Sequence, residues 1–171
     1  VTLTEYELSQ YRILSQKLKK YIVIKNGKMK ISEAGKPIIF QRTRLLAGAE
    51  KKIGLLMDLF EDYKTENNIL VYCGATNVED EESGEIVRQI DLVTRKLQTD
   101  YQMSVKRFTA EENLKERQNI KTYFAQGMYQ VITAIKCLDE GVNIPGIKTA
   151  FIMSSSRNPK EFVQRRGRLL R

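Results

Sequence analysis

The sequence predicts an α/β domain in which a parallel β-sheet is sandwiched by helices, with a basic helical or hairpin appendage at the N-terminus. Two observations carry this reading. Short strand-like segments at 69–73, 104–108, 130–135 and 149–153, apolar except at 104–108, alternate with longer stretches whose apolar residues recur at helical spacing. Strands separated by helices favour parallel pairing through right-handed crossovers with both faces covered. The chain has 171 residues, 42% of them hydrophobic, enough to bury a real core.

Taken in order, Thr4 and Glu7 form a capping-box pattern for a first helix, with Leu8, Tyr11, Leu18 and Ile22 near one face. Ile22 to Lys25 and Lys28 to Ile31 flank Asn26-Gly27, a hairpin signal in competition with continuation of the helix. Lys17, Lys19, Lys20, Lys25, Lys28 and Lys30 make this region basic, as a nucleic-acid-facing appendage or a solvated helix face would be. Ile38 to about Tyr63 reads as two helices parted near Gly48, the second with an apolar stripe of Ile53, Leu56, Leu59 and Phe60. The division expected is an appendage over 1–46 and a lobe over 47–171.

Within the lobe, strand 69–73 precedes an acidic loop, Glu79-Asp80-Glu81-Glu82, read as solvated surface, and then a helix through Ile86, Ile90 and Leu97. Strand 104–108 precedes Thr109, which can cap a helix with Glu112 at its third position, and that helix runs through Ile120 and Phe124. Strand 130–135 leads into a loop punctuated by Gly141 and Pro145, and strand 149–153 leads into a last helix with Asn158 as N-cap, Pro159 at the first position and Glu161 at the third.

On that last helix Gln164, Arg168 and Arg171 stand at i, i+4 and i+7, sharing one face. Guanidinium groups stay charged and bind phosphate oxygens bidentately, so this face suits a polyphosphate; a basic surface helix is the plainer alternative. The run Gln164-Arg165-Arg166-Gly167-Arg168-Leu169-Leu170-Arg171 resembles motif VI of superfamily II helicases. Ala134 to Pro145 resembles motif V, with Ile135 where many members carry Thr and Asn143 where they carry Asp. Ile69 to Gly74 resembles motif IV, and the three occur in the family's order. The resemblance covers about Ala47 to Arg171.

The resemblance implies the second, C-terminal RecA-like lobe of an ATP-dependent helicase or translocase. It implies Arg168 and Arg171 as catalytic arginine fingers and Gln164, Asp139, Glu140, Gly141 and Asn143 as nucleotide-side residues. Cys73, Gly74, Thr109 and Lys136 would contact nucleic acid. The cofactor implied is ATP with Mg²⁺, held mainly by a first RecA-like lobe of the same parent chain. No G-x-x-x-x-G-K-S/T loop occurs here, Ala34-Gly35-Lys36-Pro37 being the nearest imitation, so the chain alone is expected to be inactive. Cys137-Leu138-Asp139-Glu140-Gly141, the Ser154 to Pro159 approach and Leu3-Thr4-Glu5-Tyr6-Glu7 are similar to DNA-acting repair and restriction-type members, so DNA is expected before RNA.

Composition narrows the field further. Lys and Arg number 29 and Asp and Glu 21, giving +8 and favouring an anionic partner. No apolar run is long enough to span a bilayer, no secretory signal is visible in Val1 to Glu5, and a cytoplasmic setting is expected. With no His, neither a Cys/His zinc site nor a Ser-His-Asp group is available, no metal site is expected, and Cys73 and Cys137 read as small buried residues. Val at position 1 reads as the start of an excised piece. Two other classes stay open: an inactive helicase-fold nucleic-acid-binding module, which Ile135 and Asn143 favour, and a basic protein-interaction domain.

Overall fold

The computed structural model describes residues 1–25, 27–135 and 144–154. Helix α1 spans Glu5–Lys19 and starts as its sequence predicts: the Thr4 side chain accepts the Glu7 N–H while the Glu7 carboxylate accepts the Thr4 N–H. Strands β1 (Ile22–Lys25) and β2 (Lys28–Ile31) pair antiparallel, Lys25 opposite Lys28. Their turn needs Gly27, whose φ of +68° is open to glycine without strain. Gly35 lies under the hairpin because a Cβ there would meet Ile31 Cγ2 at 2.5 Å and Tyr21 Cβ at 2.7 Å. The hairpin ends the first helix, so Ile22, grouped with the helical face in the sequence, belongs to a strand instead.

Helix α2 covers Lys36–Ala47 and α3 covers Lys51–Phe60, parted at Gly48. α1 rests on α2: the Arg42 guanidinium donates to the Tyr11 hydroxyl at 2.5 Å and lies 4.5 Å from the centre of its ring. No residue of α1 is buried, so this contact is an open one.

The lobe is built on β3 (Ile69–Tyr72). It continues through the antiparallel pair β4 (Asn77–Glu79) and β5 (Ile86–Arg88), α4 (Gln89–Thr99), β6 (Val105–Phe108), α5 (Leu114–Ala125), β7 (Val131–Ala134) and β8 (Thr149–Ile152). The sheet order is β6-β7-β3-β8, all parallel, with Phe108, Ala134, Tyr72 and Ile152 in register at one end. β3 is buried on both faces, which explains its unbroken apolar run. Ile69 and Val71 join Ile53, Phe60, Ile90, Val93 and Leu97 in the core beneath α3 and α4. Leu70 and Tyr72 join Ile120, Phe124, Ile132 and Ile144 in the core beneath α5. α4 docks on β7 through a polar contact as well, the buried Thr94 and Thr133 hydroxyls lying 2.7 Å apart.

Three expectations are corrected. Ile86 lies in β5 and the helix starts only at Gln89, because residues 77–79 and 86–88 pair with each other. The acidic loop is the turn of that pair, and Asp80 is buried: its carboxylate accepts from Arg95, the Ser83 hydroxyl and the Glu82 N–H. Thr109 and Glu112 do bond to each other, but no helix follows directly. α5 starts four residues later, under a capping box formed by Asn113 and Glu116.

Candidate functional site at the carboxyl edge of the sheet

The strand order creates a crevice. From β3 the chain moves to β6 under α4, and from β6 to β7 under α5, on the opposite face. Ahead of β8, Ile144 and Ile147 pack on the α5 face. The connections after β3 and β6 thus lie on opposite faces and the return to β8 reverses the strand order beside β3; open α/β sheets bind ligands at such a switch point. Cys73-Gly74, Thr109, Ile135 and Met153-Ser154 follow the four aligned strand ends, so they line one edge.

Gly74 is held tightly there. Its N–H donates to Gln89 Oε1 at 2.7 Å, and a Cβ would lie 3.1 Å from Ala47 Cβ and 3.3 Å from Ser154 Cβ. Gln89 has no exposed surface and donates through Nε2 to the Ala47 carbonyl at 2.9 Å, joining the end of α2 to the turn after β3. The Cys73 N–H bonds the Ala134 carbonyl at 2.8 Å across the crevice strands. Its thiol is buried in the α3–α4 core, and desolvation, aided by the Asp91 charge, pushes it above the ordinary thiol range. The thiol is therefore not presented to a ligand. Thr109 is buried too: its hydroxyl and N–H both donate to Glu112 Oε2, at 2.8 and 2.6 Å, and the hydroxyl accepts the Glu111 N–H.

Beside Thr109 runs a charge network that the sequence alone does not reveal. Arg107 meets Asp91 at 2.5 Å, and Arg88 bridges Asp91 at 3.8 Å and Glu111 at 2.7 Å. The Asp91 hydrogen bond, chiefly, raises the Arg107 guanidinium above its ordinary range. At the other side Lys52 Nζ donates to the Leu46 carbonyl at 2.6 Å and the Met153 carbonyl at 2.9 Å. Burial lowers its pKa, and the Glu7 charge raises it in part. Gln89 and Lys52 carry no signal in the sequence because each ties together main-chain groups that lie far apart in the chain, Gly74 with Ala47 and Leu46 with Met153.

Lys136, Asp139, Glu140, Gly141, Asn143, Gln164, Arg168 and Arg171, with Cys137, lie outside the described residues. Among the described residues no group of three or more His, Cys, Asp or Glu side chains is arranged to hold a metal, and no helix is long and apolar enough to cross a membrane.

This architecture defines a RecA-like lobe. The C-terminal domain of the SWI2/SNF2 ATPase of Sulfolobus solfataricus superposes with a TM-score of 0.60 at 13% identity, over 88% of this chain and 68% of that one. The C-terminal domain of the DEAD-box protein Dbp5 gives 0.54 at 16% identity, over 71% and 64%. The family model described as the helicase conserved C-terminal domain matches residues 51–171, and the chain belongs to that family. It is also 27% identical to the DNA 3'-5' translocase XPB2 of Sulfurisphaera tokodaii, over all of this chain and 38% of the length of that protein.

Proposed function

We propose that this chain is the second lobe of an ATP-dependent DNA helicase or translocase, 47–171 forming the lobe and 1–46 an appendage to it. The observation that carries the reading is the switch-point edge: the segments bearing both nucleotide-side motifs, 136–143 and 155–171, continue directly from Ile135 and Ser154 on it. Arg168 and Arg171 supply positive charge where negative charge develops on the transferring phosphoryl group, and Gln164 orients the nucleotide. Asp139, Glu140, Gly141 and Asn143 line the nucleotide side of the loop after β7. Magnesium and the β- and γ-phosphates would be held mainly by the first lobe, since no G-x-x-x-x-G-K-S/T sequence occurs here. ATP supplies the energy, and closure of the two lobes around it moves this one along the DNA. Cys73, Gly74, Thr109 and Lys136 mark the nucleic-acid side of the lobe, with contacts to the backbone that give little sequence preference. The similarity to a DNA translocase supports DNA over RNA.

The test is DNA-stimulated ATP hydrolysis by the full-length protein. Arg171→Ala, and separately Arg168→Ala, lowers turnover on the order of 10³-fold while nucleotide binding persists. Wild-type turnover in either variant overturns the assignment. A second reading, a nucleic-acid-binding lobe without hydrolysis, has one observation in its favour. Ile135, where a hydroxyl would serve a phosphate, packs its side chain against the core. Absent hydrolysis in a wild-type protein that still binds DNA would favour it, and absence of both would favour a protein-interaction domain.

A further inference from the structure

The hairpin β1–β2 carries a feature that the lobe does not use. Residues 8–32 contain seven basic and no acidic residues, +7 of the chain's net +8. In the antiparallel register Lys25 is opposite Lys28 and Val23 opposite Lys30, so three lysines occupy one face, with Lys30 about 7 Å along from Lys28. Ile24 opposite Met29, both 78% exposed, occupy the other face near the turn. Like charges directly opposite on a hairpin destabilise it. Among the described residues no carboxylate relieves them: the salt bridges do not include Lys17, Lys19, Lys20, Lys25, Lys28 or Lys30, and the nearby Glu33 is paired with Lys36. A lysine array that two strands hold in self-repulsion gains most from an extended polyanion that neutralises it, and flexible ammonium groups suit phosphates without reading sequence.

We propose that the Lys25-Lys28-Lys30 face of this hairpin is a second nucleic-acid contact, separate from the carboxyl edge of the sheet, which grips the phosphate backbone. The exposed Ile24–Met29 pair gives the same hairpin an apolar contact for sugars or unstacked bases. This inference rests on the reading that the protein acts on nucleic acid.

The experiment measures how the affinity of the full-length protein for a fluorescent duplex of random sequence depends on salt, without nucleotide. Each phosphate contact contributes about 0.9 to the slope of log K against log salt, so Lys25→Ala/Lys28→Ala/Lys30→Ala lowers the slope by roughly 2–3. The corresponding triple Arg variant retains the slope, and Lys64→Ala/Lys106→Ala/Lys148→Ala, which removes equal charge from exposed positions elsewhere, leaves it nearly unchanged. The thermal midpoint checks that each variant folds; the hairpin lysines are all exposed. If the wild type binds and the hairpin variant keeps its slope, or if the control variant loses as much, the hairpin contact is refuted and the proposed function stands. If phosphatidylserine vesicles are bound through the hairpin while duplex binding is unaltered, the partner is a membrane surface and the proposal fails. If the wild type binds no nucleic acid, the proposed function itself is overturned.

Discussion

Gln89 is a polar side chain with no exposed surface that satisfies two main-chain groups 27 residues apart, the Gly74 N–H and the Ala47 carbonyl. Gln89→Leu keeps the volume and abandons both, and a buried group left without a partner costs about 1–3 kcal/mol. The variant is therefore destabilised by roughly 2–5 kcal/mol in urea unfolding; a change within about 0.5 kcal/mol, typical of surface substitutions, would refute the role assigned to it. Cys73 shows the opposite case, a residue whose burial was legible in its apolar surroundings. Its thiol, pushed up by burial, stays protonated at neutral pH, so iodoacetamide labels the Cys73 peptide only after unfolding. Labelling of the folded protein, read by mass spectrometry, would contradict this. The two residues differ in legibility for a physical reason. Burial follows from local composition, whereas a glutamine's partners are fixed only when distant segments meet.

The long elements were legible because their patterns are redundant: β3, β7 and the outer strand β8 are apolar runs, and α1 and α3 carry a cap or a stripe. β4 and β5 were not, since three residues hold barely one alternation, and Ile86, Ile90 and Leu97 fit a helical spacing by chance. α5 shows a related ambiguity, with Thr109–Glu112 and Asn113–Glu116 offering the same capping chemistry and only the second opening onto a continuous helical stretch. The β4–β5 turn is fastened to α4 by Asp80, whose carboxyl the Arg95 hydrogen bond, above all, holds below the ordinary carboxylate range. A depressed folded-state pKa means stability that is present above the unfolded value of about 3.9 and lost as pH falls through the lower folded one. Asp80→Asn is thus less stable than wild type at pH 7 but loses less stability on acidification below about pH 4. Parallel curves of thermal midpoint against pH would exclude this role for the pair.

Across the whole molecule one sheet serves two cores, and its order was not legible. Apolar periodicity identified the strands, but nothing local says that β3 lies between β7 and β8. The crevice between β3 and β7 exists only because of that order, which is why motif spacing could nominate residues without showing that Gly74, Thr109 and Ser154 share an edge. Phe60 beneath α3 and Phe124 beneath α5 lie in opposite cores, both fully buried. Phe60→Ala and Phe124→Ala each lower stability by about 3–5 kcal/mol. Because the cores share the sheet, chemical denaturation of either variant remains a single transition by both fluorescence and circular dichroism. Two separated transitions would show that the faces unfold independently.

Lys52 joins places that the chain order keeps apart. Its ammonium group binds the last turn of α2 and the exit of β8, immediately ahead of the segment that carries Arg168 and Arg171. Coupling of this kind is reciprocal: whatever repositions the exit of β8 changes the hold on α2, and whatever stiffens α2 biases the exit by the same free energy. The backbone amides near Leu46 are therefore a remote gauge of events beyond Ser154, readable by hydrogen exchange with no probe attached to the arginines themselves.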